Sequence, residues 1–122
     1  MDSILQNLKN ELQGRLFNFA VEVIRLIRNL PKGIEYNVIS YQLIKAATSA
    51  GANYDEAQGA VSKADFANKI GISLKEMREA NYWIRLIIPT TEKNDTWIEM
   101  RKESLELMNI LGSIYSKTSV RR

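Results

Sequence analysis

Hydrophobic residues recur at three- and four-residue steps through four stretches of the chain, and the breaks fall at prolines, glycines and capping residues. In "GRLFNFAVEVIRLIRNLPKG" the apolar positions Leu16, Phe19, Ala20, Val23, Ile27 and Leu30 share one helical face, which Arg15, Glu22, Arg25 and Arg28 mostly avoid. Pro31-Lys32-Gly33 closes this first helix, since proline supplies no amide to continue it. Upstream, Ile4, Leu5, Leu8 and Leu12 keep helical spacing, so residues 1–13 either extend the first helix backward or form a short extra helix before Gly14. Tyr36, Ile39, Leu43, Ala46, Ala50, Tyr54 and Ala57 predict a second helix from Ile34 to about Ala60. Ser62 with Asp65 three residues later marks the start of a third, striped with Phe66, Ile70, Leu74, Met77, Asn81, Ile84 and Ile88 and stopped at Pro89. Asn94, Asp95 and Thr96 are offered as caps, Thr96 with Glu99 forming a capping-box pattern, ahead of a fourth run through Ile98, Leu105, Met108, Leu111, Ile114 and Tyr115, and residues 117–122 read as a flexible tail. No stretch alternates with period two and no Asn-Gly or Asp-Gly turn occurs. The expectation is one all-α domain, an antiparallel up-down-up-down four-helix bundle with short connections.

Composition narrows the chemistry. The 122 residues carry no Cys and no His, which removes disulfides, thiolate nucleophiles, imidazole bases and the Glu-x-x-His ligands of a di-iron bundle. No P-loop or Gly-x-Gly-x-x-Gly element is present. Glu76 and Glu79 lie beside Lys75 and Arg78 and read as salt-bridge partners rather than cation ligands. A non-enzymatic protein without metal or cofactor is expected. "MDSILQNLKNELQ" lacks a signal peptide's apolar segment, and no run reaches the ~20 apolar residues of a membrane span, so a cytoplasmic location is expected.

Net charge is +3, and the excess is uneven: residues 1–62 hold six basic and six acidic side chains, 63–122 eleven and eight. Arg25, Arg28, Lys32, Lys63, Lys69 and Arg78 are candidates for a phosphate-tracking surface on RNA or DNA, against the alternative of a solvated face in which Asp65–Lys69 and Lys75–Glu79 are ordinary i,i+4 pairs. Tyr82 and Trp83 are adjacent and point about 100° apart on a helix, so one of them leaves the core stripe. With Arg85 they are candidates for a subunit interface or for the bundle's own edge. Trp97 reads as a packing residue at the start of the fourth helix.

"AATSAGANYDEA" places small and polar residues inside an otherwise helical run, at a cost of ~0.5–1 kcal/mol each for Gly, Thr, Ser and Asn against Ala. The compensation is close helix approach along Ala46, Ala50, Asn53 and Ala57. Asn53 and Glu56 then join a structural polar network with Glu76 and Glu79, or with Asn81, that fixes helix register, or else mark a ligand or subunit contact.

Three elements in this order, "TSAGANYDEA", "SKADFANKIGISLKE" and "ANYWIRLI", carry a resemblance that runs from about Leu16 to Tyr115. The chain resembles the four-helix-bundle family encoded in intervening sequences of bacterial 23S rRNA genes, and more distantly the accessory variability determinant of diversity-generating retroelements. Where many relatives carry an acid ahead of the Tyr-Trp pair, this chain has Ala80-Asn81. The resemblance implies a left-handed bundle, assembly as a homopentamer with a central channel, and no known catalysis. The more distant likeness to the accessory determinant, together with the basic surface, points to a scaffold that engages nucleic acid or a nucleic-acid-handling protein; the alternative is a protein-interaction module without nucleic-acid binding.

Overall fold

The computed structural model describes residues 2–119. Four helices follow one another: α1 (Asp2–Ile27), α2 (Ile34–Ala57), α3 (Lys63–Ile87) and α4 (Asp95–Thr118), with a 3-10 turn at Ile88–Thr90. Among the described residues there is no strand. α1 is unbroken through Gly14, so the early leucines and the Leu16 stripe belong to one helix. Residues 120–122 of the expected tail lie outside the described residues, and α4 stays helical to Thr118.

The chain punctuates these helices with particular residues. Gly33 precedes α2 at φ 154°, ψ 156°, a conformation in which a Cβ would also meet the Glu35 carboxylate 2.9 Å away. α2 ends at Ala57 instead of Ala60, because the amides of Gln58, Gly59 and Ala60 wind back to the carbonyls three residues earlier. Ser62 then extends, its Oγ accepting from the Asp65 amide at 3.0 Å while Asp65 Oδ2 accepts from the Val61 amide at 3.2 Å. The expected Thr96–Glu99 box is not the start of α4. Thr96 already lies within the first turn, and the N-cap is Asn94. Its side chain makes no cap bond and instead donates to Ile88 O at 2.9 Å and Thr91 O at 3.4 Å, closing the loop behind the helix.

One core joins all four helices, with Leu16, Leu43, Ile70, Met77, Ile84, Leu107 and Leu111 almost wholly buried. Each such side chain contributes about 1.5–3 kcal/mol from apolar burial. In α4 the inward face is Trp97, Met100, Ser104, Leu107 and Leu111, whereas Leu105 of the expected stripe is exposed. Period-matching alone did not fix the phase, since Ser104 is polar and Leu105 apolar.

α3 packs extensively against both α2 and α4, α1 packs against α2, and α1 touches α4 only sparsely. Ala46, Ala47, Ala50 and Ala57 are completely or almost completely buried, so the α2 backbone comes close to its neighbours. Ser73 Oγ uses that proximity to donate to Ala50 O at 2.7 Å. On the other side, a Cβ on Gly51 would lie 3.7–3.8 Å from Leu16 backbone and Cβ atoms, an ordinary contact. Contacts across the α2–α3 and α3–α4 pairs run in opposite senses: Ala50 meets Ser73 while Tyr36 meets Thr90, and Asn81 meets Ser104 while Gly71 lies against Tyr115.

Candidate functional site

The seam between α3 and α4 is built on a polar chain inside an apolar stripe. Asn81 is buried and donates through Nδ2 to Ser104 Oγ at 2.8 Å, and Ser104 Oγ in turn donates to Arg101 O at 2.9 Å. Asn81 Oδ1 accepts from Arg85 Nε at 2.9 Å. All these groups are satisfied, so the chain fixes the α3–α4 register without leaving an unpaired amide, which would cost ~1–3 kcal/mol. Arg85 is held outward from this anchor, its guanidinium carbon 5.7 Å from the centroid of the Tyr82 ring. Tyr82 is 46% exposed and meets Trp83 edge-on, with centroids 5.1 Å apart. Trp83 packs against the core and donates from Nε1 to Glu79 Oε2 at 3.3 Å.

The Asn81–Ser104 register sets Arg85 level with Arg101, and carries Arg78 and Tyr82 along the strip of α3 that borders Leu105. Among the described residues Arg78, Arg85 and Arg101 make no ion pair. This outer seam therefore joins three uncompensated guanidinium groups to an exposed aromatic ring.

The other expected basic residues do not join it. Arg25 pairs with Glu22 at 3.6 Å, and Arg28 and Lys32 sit where α1 turns into α2. Lys63 and Lys69 lie at the opposite end of α3, a helix of 25 residues and so roughly 37 Å long. Lys69 is pinned by Asp65 at 3.4 Å and by Glu56 at 3.9 Å. Of the six, only Arg78 stands on the α3–α4 seam.

The structure also separates the expected polar network. Asn53 Nδ2 donates to Ser49 O of its own helix at 2.9 Å, because α2 turns that side chain along its axis rather than across to α3. Glu56 is exposed and meets Lys69, Glu79 serves Trp83, and Glu76 makes no hydrogen bond or ion pair among the described residues. Register is fixed instead by Ser73, Asn81 and Ser104. Their signal was in the sequence, as polar residues on or beside apolar stripes, and Asn81 alone stood out.

A second surface is apolar. On the outside of α1 and α2, Phe17 is 67%, Ile34 78% and Tyr41 65% exposed, with Val38 between them. A groove of about 360 Å³ separates the two helices, walled by Phe17, Ala20, Val21, Ile24, Gly51 and Ala52.

Arg15 bridges α1 to α4 by donating to Glu103 through Nε at 3.0 Å and Nη2 at 2.8 Å, and to Glu106. The Glu103 hydrogen bonds, opposed by partial burial and reinforced by Glu106, hold its pKa above the ordinary value. Burial, with a smaller push from the Asp55 charge, raises the Tyr54 phenol. Among the described residues no three carboxylates gather to hold a metal ion, and no helix is long and apolar enough to cross a membrane.

The described residues form four helices around one shared core. Residues 9–113 match the model of the 23S rRNA-intervening sequence protein family, and the chain belongs to that family. It is similar to the crystal structure of a protein of unknown function from the S23 ribosomal protein family of Bacteroides thetaiotaomicron VPI-5482, at 35% identity and a TM-score of 0.79 over 88% of this chain and 97% of that one. No curated protein matches the chain.

Proposed function

We propose that this protein is a non-catalytic scaffold, a left-handed antiparallel up-down-up-down bundle that assembles with copies of itself and offers its α3–α4 seam to RNA or DNA. The observation that carries the reading is the strip of Arg78, Arg85 and Arg101, unpaired among the described residues, around exposed Tyr82. Phosphate is a natural partner of planar guanidinium groups, and contacts to phosphate carry no sequence information. The exposed Phe17, Val38 and Tyr41 support self-association, and the family resemblance points to five copies. A pentamer multiplies the net charge of +3 and raises the local field felt by a polyanion. A cytoplasmic site of action fits this partner.

Mobility of labelled single-stranded RNA and of duplex DNA, measured against increasing salt, tests the proposal. Binding that weakens steeply with salt is expected. Free migration of both at low salt rejects it.

The second reading is a protein-interaction module. Phe17, Ile34, Val38 and Tyr41 favour it, because an apolar face of that kind fits another protein better than phosphate. Tyr82, Trp83 and Arg85 at a subunit contact would serve the same reading. A partner that stays bound after nuclease digestion, together with no salt-sensitive mobility shift, would select it.

A further inference from the structure

We propose that the groove between α1 and α2 binds a primary ammonium ion carried on an elongated apolar body. The groove measures about 360 Å³, toward the lower end of the range for small-molecule sites. Phe17, Val21 and Ile24 of α1 form one wall, and Thr48, Gly51 and Ala52 of α2 form the other. Gly51 and Ala52 carry little or no side chain, so the α2 wall stays low and leaves a trough beside the larger α1 residues. From Gln13 to Ile24 the α1 backbone rises about 16 Å, which accommodates an extended alkyl tail.

The charge of this trough sits at one end. Gln13 Nε2 donates to Asp55 Oδ1 at 2.8 Å, a bond from α1 to α2 that holds the carboxylate in place on the groove lining. Among the described residues Asp55 Oδ2 accepts no hydrogen bond and Asp55 makes no ion pair. Asp55 is also the one charged residue of the lining among the described residues, so no cation of the groove competes for it. Thr48 spends its hydroxyl hydrogen on Ile44 O at 2.8 Å and retains only lone pairs.

A carboxylate without a counter-ion at the end of an apolar trough selects a cation with a hydrophobic tail over an anion or a neutral alcohol. Asp55 presents one free oxygen, which suits a compact ammonium better than a two-pronged guanidinium. Of the residues assigned to self-association only Phe17 lines the groove, so this site goes beyond the reading above and does not rest on it.

Octylamine, octanol and octanoate share one tail and differ in the head, and titration with each at neutral pH is followed at the methyl resonances of Val21 and Ile24. Saturable shifts with octylamine are expected, with octanol about fivefold weaker, the size of an exposed ion pair, and octanoate weaker still. Asp55→Asn should bring octylamine to the level of octanol and leave octanol unchanged. Ala52→Phe, at an exposed position of α2, should fill the trough and weaken all three. Unmoved resonances overturn the proposal, as does an amine that binds no better than the alcohol or the acid, or an amine affinity that Asp55→Asn does not change. Native mass is measured in the same titrations. A mass that falls whatever the head group assigns the groove to a second copy of the chain and overturns the ammonium site.

Discussion

α1 with α2 and α3 with α4 are built on the same helical period, yet they differ in what they place at their seams and on their outer faces. The α2–α3 seam is closed over completely buried Ala46 and Ala50, and the α3–α4 seam is pinned by Asn81 and Ser104. The α1–α2 seam instead opens on its outer side into a groove walled by Phe17, Ala20, Val21 and Ile24, and Phe17 and Tyr41 are exposed. Outside α3 and α4 the corresponding positions are Arg78, Arg85 and Arg101. Inward positions decide whether the chain folds. Outward ones are almost free energetically, so the difference between the two outer faces is where a function can be specified.

The largest contrast concerns the basic seam. Arg78→Glu with Arg101→Glu should weaken polyanion binding by roughly 100-fold at low salt, and should flatten the salt dependence, with the melting temperature held. Unchanged affinity would remove the distinction between the two faces. Next in size, Ala50→Leu should destabilise by about 1–3 kcal/mol or more in denaturant titration, because the α2–α3 seam has no room for the added methylenes. Its neighbour Gly51 sharpens the comparison: Gly51→Ala meets only ordinary contact distances and should be neutral or stabilising by up to about 1 kcal/mol from helix propensity. Gly51→Leu must push α1 away and should cost ~1–3 kcal/mol. If both variants melt alike, α1 is not packed where the groove geometry puts it.

On the apolar side, Val38→Glu with Tyr41→Glu should lower the native mass in solution while leaving the monomer's stability within about 0.5 kcal/mol, as expected of exposed sites. A mass that does not change takes self-association away from this face. The smallest effect is alkaline. The folded Tyr54 phenol is raised above its ordinary value of 10, so it favours folding below that pH and the contribution disappears as pH climbs through the folded value. Tyr54→Phe should therefore lose less stability than the parent between neutral pH and pH above 10, measured by thermal melts.

Helix number and order were legible because the apolar period, Pro31 and Pro89 and the Ser62–Asp65 cap are all local signals. The phase of α4 was not, since Ser104 faces inward for the sake of Asn81, a partner 23 residues away. Asn53 misled for the reverse reason: its amide finds a carbonyl one turn back on its own helix, which spacing alone cannot distinguish from a cross-helix bond. Of the basic seam, Arg78 and Arg85 were visible individually. Arg101 joins them only once the pairing of α3 with α4 is known.

Arg15 works as a clasp between the two ends of the chain. Contact between the first and last helices is sparse, and the ties from this guanidinium to Glu103 and Glu106 are ionic and half open to solvent. Such a clasp loosens with salt while the oily centre does not, so α1 is the helix that swings free first. It also cannot fasten during synthesis until Glu103 and Glu106 of α4 have emerged, so α1 waits on the last helix for this tie.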